Sequence, residues 1–214
     1  LTERNGVPTD EIFNRFIAIA RRGHAFVPCS YKRTETQRNL LASGLLQSDY
    51  THLLMLDADH LHPVDVVERL VGHVLADPSR LVMSGLSFRR GPPFDPTAWY
   101  ESPEGIKPMA QWPHGLIRVD LIGGFCILVN REVFEWLEWP WFRIVCSTKD
   151  RTFGGEDIYF SRKCKQAGIE LWVDTDCISP HLTYAWVTEA TYRQYMAEWE
   201  KRHGTDEGRS DKGD

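Results

Sequence analysis

The chain has 214 residues, enough for one domain with a proper core and too few for two of ordinary size. Hydrophobic residues make up 42% and charged residues 26%, the balance of a folded globular protein rather than a disordered or fibrous one. A net charge of −5 excludes a global positive field drawing the chain to nucleic acid or anionic lipid, and no apolar run approaches membrane-spanning length.

The five cysteines (Cys29, Cys126, Cys146, Cys164, Cys177) form no Cys-x-x-Cys pair. Most sit inside apolar segments, the pattern of reduced structural thiols and of a cytoplasmic protein. Leu1 begins no signal peptide. The chain lacks an initiator Met and opens just ahead of a helix, so a first β-strand is expected before Leu1.

Pro8-Thr9-Asp10 starts a helix with Ile12, Phe13, Phe16, Ile17 and Ile19 at helical spacing, ended by Gly23. Residues 24–28 read as a short strand and 30–36 as a polar, basic loop. A second helix carries Gln37, Arg38 and Asn39 in its first turn and Leu40, Leu41, Leu45 and Leu46 on its inner side. Residues 52–56 then form a continuous apolar run, as a strand buried on both faces requires. Pro63-Val64-Asp65 starts a helix to Ala76 with Val66, Val67, Leu70, Val71 and Val74 inward, and residues 81–88 are another strand. This alternation predicts an α/β domain: a central, mostly parallel sheet flanked by helices.

Residues 89–113 are rich in Pro, Gly and aromatics without a regular period, and long loops inside a domain are often functional. Strands follow at 116–121 and 125–129, separated by Gly123-Gly124, and a short helix starts near Arg131. Trp136, Trp139, Trp141 and Phe142 surround Pro140. Gly154-Gly155-Glu156-Asp157 leads into a helix to Gln166, stopped by Gly168. A last strand at 170–173 runs through acidic residues to Pro180-His181, and residues 188–203 form an amphipathic helix. One domain spans residues 1–204, with 205–214 a polar, flexible tail.

Four features bear chemistry. Asp57 and Asp59 directly follow the apolar run at 52–56, where open α/β sheets bind ligands. Two ionised, unpaired carboxylates have no place in a core, so they face solvent in a turn or hold a cation. An EF-hand loop fails, because Leu61 and Gly72 do not supply the later positions. An aspartyl-phosphate phosphatase wants a small hydroxylated residue where Leu61 stands. Glu156 and Asp157 either complement a helix dipole or line a site reached by the backbone of two glycines. His181 is a surface or core histidine or a ligand. Gly123-Gly124 is a tight turn or a close approach to a ligand.

The order strand–Asp-x-Asp, Gly-Gly strand, Gly-Gly-Glu-Asp helix, strand–His resembles the GT-A-fold glycosyltransferases of the family-two-like and Gly-Gly-Glu-Asp groups. Arg38-Asn39 matches the Arg-Asn that such enzymes carry before the Asp-x-Asp strand. The resemblance covers roughly residues 38–181. It implies a single GT-A (Rossmann-like) domain and an inverting, metal-dependent transfer of a sugar from a nucleotide-diphosphate sugar to an acceptor hydroxyl. Asp59 and His181 would bind Mn²⁺ or Mg²⁺, with Asp57 touching the metal, its bound water or the ribose. Asp157 would be the general base and Glu156 would place the acceptor. Gly123 and Gly124 would lie against the donor sugar, and Arg38, with Arg33 and Lys32, would meet its phosphates. Trp112, Trp139 and Trp141 would stack on sugars, whereas Trp172 and Trp186 belong to the core. The 89–113 and 136–153 segments would form the acceptor side and a lid. The acceptor class stays open among glycan, lipid-linked intermediate, protein, small metabolite and modified nucleic-acid base. The rival readings are a nucleotidyltransferase on a related sheet and a sugar- or nucleotide-binding module without turnover.

Overall fold

A computed structural model describes residues 9–30, 33–147, 152–183 and 186–203. The chain begins with helices α1 (Thr9–Ala20) and α2 (Thr34–Leu46), then β1 (His52–Leu56), α3 (Val66–Ala76) and β2 (Val82–Leu86). Strands β3 (Ala98–Ser102), β4 (Gly105–Pro108), β5 (Leu116–Val119), β6 (Leu121–Ile122) and β7 (Cys126–Asn130) precede α4 (Arg131–Trp136). The remainder is β8 (Val145–Ser147), β9 (Thr152–Gly154), α5 (Glu156–Gln166), β10 (Leu171–Ile178), β11 (His181–Leu182), β12 (Trp186–Val187) and α6 (Glu189–His203).

The fold is α/β, built on a five-stranded sheet in the order β1-β7-β2-β10-β5. Side chains alternate along each strand, so one face carries Met55, Val82, Leu86, Ile127, Val129, Leu171 and Val173. These pack under α2, α4, α5 and α6 through Ala42, Leu45, Val133, Phe134, Phe160 and Tyr192. The other face carries Met83, Cys126, Leu128 and Cys177, covered by Ile19 of α1 and by Val66, Leu70 and Val74 of α3. Burial on both faces explains why 125–129 lacks polar alternation, whereas 52–56 lies at the edge of the sheet and is half-buried apart from Met55.

The sheet departs from the mostly parallel arrangement expected. Among the described residues only the β2–β10 ladder of this sheet is parallel; β1–β7, β7–β2 and β10–β5 are antiparallel. A strand apolar on both faces looks the same in either direction, so β7 carried no sign of its orientation. It enters between β1 and β2 pointing the opposite way, which leaves β1, β2 and β10 running in one direction. Their carboxyl ends, and the amino end of β7, therefore meet along one edge.

Other expectations change too. Residues 24–28 form no strand, and Leu40 is exposed, whereas Arg38 on the same helix is buried. The 89–113 segment holds the β3–β4 hairpin, which pairs with β6 and is anchored by the fully buried Ala98 and Met109. The last central strand runs to Ile178, past its acidic residues. Arg131 donates to the carbonyls of Leu45 and Leu46, at 3.1 and 2.8 Å, closing the C-terminus of α2. All five cysteines are free, and Cys126, Cys164 and Cys177 are buried. Among the described residues no helix is long and apolar enough to cross a membrane. The 205–214 tail lies outside the described residues.

Candidate functional site

The turn after β1 is stitched to the segment after β10. Leu61 N–H donates to the Pro180 carbonyl at 3.0 Å, Leu182 N–H to the Asp59 carbonyl at 2.8 Å, and His60 bridges to His181. On the other side Asp57 N–H donates to the Phe125 carbonyl at 2.8 Å, joining the turn to the start of β7. Beneath it lies His62, fully buried. Its Nε2–H donates to the Asp57 carbonyl and its Nδ1 accepts from the Ser179 hydroxyl, both at 3.0 Å. Burial pushes the His62 imidazole down to about 3, so it is neutral here. Arg15 of α1 donates to the His62 carbonyl at 2.9 Å.

Asp59 and His181 face one another at this edge. His181 is held by Nδ1–H donating to the Phe88 carbonyl at 2.9 Å, which leaves the Nε2 lone pair pointing 3.7 Å from Asp59 Oδ2. Burial lowers its pKa first, and Arg90 adds to this. His60 lies between the rings of His181 and Phe125, at centroid distances of 4.0 and 4.9 Å. Its Nδ1 bonds Asp59 Oδ1 at 2.8 Å, and burial pushes it down to about 3. Ligand atoms of Asp59, His60 and His181 all lie within 4.8 Å of one another. A carboxylate oxygen and a neutral imidazole form a donor set that Mn²⁺ accepts well. The corner also holds a cation of its own: Arg90, from the loop after β2, donates Nη2–H to Asp59 Oδ2 and Nε–H to His181 Nε2. The donor set fits a divalent cation.

Next to this corner Arg38 joins the other two motifs. Its side chain is 4% exposed, and Nη2 reaches both oxygens of Asp57 at 3.1 and 3.2 Å. Nε stands 3.5 Å from Glu156 Oε1, and Nε and Nη1 are buried without a hydrogen bond. Burial raises the Glu156 carboxyl, Arg38 opposes this and Asp157 adds to it. Asp157 accepts from Ile158 N–H at 2.8 Å on Oδ1 and from Gly124 N–H at 3.1 Å on Oδ2. A carboxylate has about four acceptor positions, so lone pairs remain on both oxygens. Asp57, Glu156 and Gly124 thus surround one buried guanidinium, and Asp157 is tied to that group through the Gly124 N–H.

The glycines make room for the protein's own groups. A Cβ on Gly123 would stand 2.7 Å from Thr97 Cβ, and one on Gly124 would run into Arg38. Close approach of Thr97 and Arg38 therefore requires glycine at both positions, whatever lies against their backbone. Arg38 is too deep to lie in a solvated basic loop; Arg33 is exposed and Lys32 lies outside the described residues. Trp141 is not a sugar platform. It is 6% exposed, and its indole N–H is shared between the Phe134 and Leu137 carbonyls. Trp139, at 70% exposure, is free to stack on a ligand, whereas Trp112 packs on the core. The structure brings together Asp59 with His181, Arg38 with Asp57, Glu156 and Gly124, and Asp157 with Gly124. His60, His62 and Arg90 were not foreseen. His60 and His62 directly follow the Asp-x-Asp motif, and Arg90 opens the loop that looked irregular.

No protein-family model and no curated protein sequence matches the chain. Among solved structures, A197 from STIV shares the fold at 15% identity, with a TM-score of 0.56 over 83% of this chain and 79% of that one. Apo UDP-glucose pyrophosphorylase gives a TM-score of 0.45 at 8% identity, over 83% of this chain and 64% of that one. CMP:2-keto-3-deoxy-manno-octonic acid synthetase complexed with CTP gives 0.41 at 11% identity, over 86% and 76%. The last two likenesses are too slight to carry an argument.

Proposed function

We propose that this protein is a divalent-cation-dependent glycosyltransferase of GT-A type. It moves a sugar from a nucleotide-diphosphate sugar to an acceptor hydroxyl with inversion. The observation that carries the reading is the meeting of Asp59 and His181 at the joined carboxyl ends of β1 and β10, beside the Glu156–Asp157 start of α5. Open α/β sheets bind ligands at such an edge.

Asp59 and His181 hold the cation, which when bound offsets the negative charge of the departing diphosphate. Asp57, oriented by Arg38, faces the donor from the same turn. Asp157 takes the proton from the acceptor hydroxyl as that oxygen bonds to the anomeric carbon. The bond from the anomeric carbon to the diphosphate oxygen breaks, and the nucleoside diphosphate leaves with the electron pair. Glu156, raised by burial, is the partner that positions the acceptor.

The test is thermal denaturation with nucleotides and nucleotide sugars in Mn²⁺, Mg²⁺ or EDTA. A ligand at about 100 times its Kd adds roughly 2.7 kcal/mol to the folded state and raises Tm by several degrees. Stabilisation by a nucleoside diphosphate or its sugar, only with metal, is expected, and Asp59→Asn should abolish it. Preference for a triphosphate would favour a nucleotidyltransferase, and metal-independent stabilisation or none would overturn the reading.

A further inference from the structure

Arg90 makes the same contacts that a bound cation would need. Its guanidinium bonds the Asp59 carboxylate and the His181 Nε2 at once, the second at 2.6 Å. An imidazole nitrogen has one lone pair, which accepts one hydrogen bond or binds one metal ion. His181 Nδ1 is committed as a donor to Phe88, so Nε2 is the only nitrogen it can offer. Arg90 and a metal ion therefore exclude one another at His181. The Arg90 side chain is about half exposed and carried on the loop after β2, so it is able to swing away without opening the core. Once it leaves, an unpaired guanidinium stands at the rim of the site, and guanidinium is the side chain best matched to phosphate oxygens.

We infer that Arg90 is an exchangeable cation: it holds Asp59 and His181 together before metal enters, gives way to the metal, and then pairs with the donor's phosphates. This rests on the metal reading of the Asp59–His181 corner and adds a phosphate-binding residue from a loop that no motif marked.

Arg90→Gln separates the two halves, because they move in opposite directions. Mn²⁺ binding without nucleotide, read from the loss of the free-ion EPR signal, should tighten roughly tenfold when the competing charged hydrogen bonds are removed. Binding of UDP, GDP, ADP or CDP in Mn²⁺, read by calorimetry, should weaken roughly tenfold for whichever the wild type takes. A merely structural arginine would weaken both. Mn²⁺ affinity that is unchanged or lower in Arg90→Gln overturns the exchange, as does unchanged or absent diphosphate binding. If Asp59→Asn still abolishes Mn²⁺ binding in that case, the metal site itself stands. If neither wild type nor Arg90→Gln binds Mn²⁺, the metal reading fails and the exchange with it.

Discussion

The guanidinium of Arg38 lies against the backbone of Gly124 so closely that a Cβ there would stand 1.8 Å from Arg38 Nη1. Arg38 cannot simply swing aside, since it is buried and paired to Asp57. Gly124→Ala must therefore push the guanidinium off Asp57 or shift the start of β7. Overpacking of this kind costs roughly 1–3 kcal/mol, measurable by urea unfolding. With Arg38→Ala in the background the obstructing atoms are gone, and the same glycine change should cost less than about 0.5 kcal/mol. Equal costs in both backgrounds would place the strain in the backbone instead.

Arg38→Met keeps the length of the stem and removes the charge between Asp57 and Glu156. Removing one partner of a buried pair leaves the others uncompensated, so a loss of roughly 3 kcal/mol is expected at about pH 7. The sign of the pH dependence follows from Glu156, whose carboxyl is already raised by burial with Arg38 as the counterweight. Without Arg38 it rises further above its unfolded value. A raised carboxyl contributes stability that is full below the unfolded pKa and lost as pH rises through the folded one. The gap between variant and wild type should therefore narrow as pH falls toward about 4. A gap that stays constant across that range would mean that packing, not charge, was lost.

Asp157→Asn tests the base. An amide offers one acceptor oxygen, so either Ile158 N–H or Gly124 N–H loses its partner, at a cost of roughly 1 kcal/mol. That is too little to unfold the domain. Steady-state rates with the donor found by the thermal screen should show kcat down by 100-fold or more, the scale of general base catalysis. Donor Kd by calorimetry should hold, because Asp59 and His181 are untouched. Transfer near the wild-type rate would remove Asp157 from the chemistry.

The α/β class, all six helices among the described residues and the edge that gathers the motifs were legible because each rests on local pattern: apolar runs, helix starts at Pro8 and Pro63, glycine stops at Gly23 and Gly168. The helix at Arg131 was also marked, and Asn130 caps it by accepting from Glu132 N–H. Strand direction was not legible, since the apolar 125–129 run has no polar face to mark which way it lies. The β3–β4 hairpin was hidden because a two-residue turn at Pro103-Glu104 sits among prolines and aromatics that read as loop. At the site, the carboxylates and His181 stood out by residue type. Arg38 was visible as a residue but its place was not: the sequence put it in the first turn of a helix that in fact starts at Thr34, and nothing local says that it is drawn inward by Asp57 and Glu156. Arg90 depended wholly on tertiary contact.

His62 gives the last test. It is neutral when folded, pushed down to about 3 by burial, while in the unfolded chain it titrates near 6.5. Below that value the unfolded state binds a proton that the folded state refuses. The stability contributed is thus full above the unfolded pKa and lost as pH falls toward the folded one. The slope is about 1.4 kcal/mol per pH unit, or roughly 2 kcal/mol between about pH 7 and about pH 5. His60 is depressed in the same way and adds a similar slope. His62→Gln breaks the tie between Asp57 and Ser179 and should be less stable at neutral pH. On acidification its decline should be smaller than the wild type's by roughly 2 kcal/mol in urea unfolding at the two pH values, since His60 and His181, also lowered by burial, keep their shares. An undiminished decline would mean that His62 takes up its proton in the folded state. The turn carrying Asp57 and Asp59 would then rest on something other than a neutral imidazole beneath it.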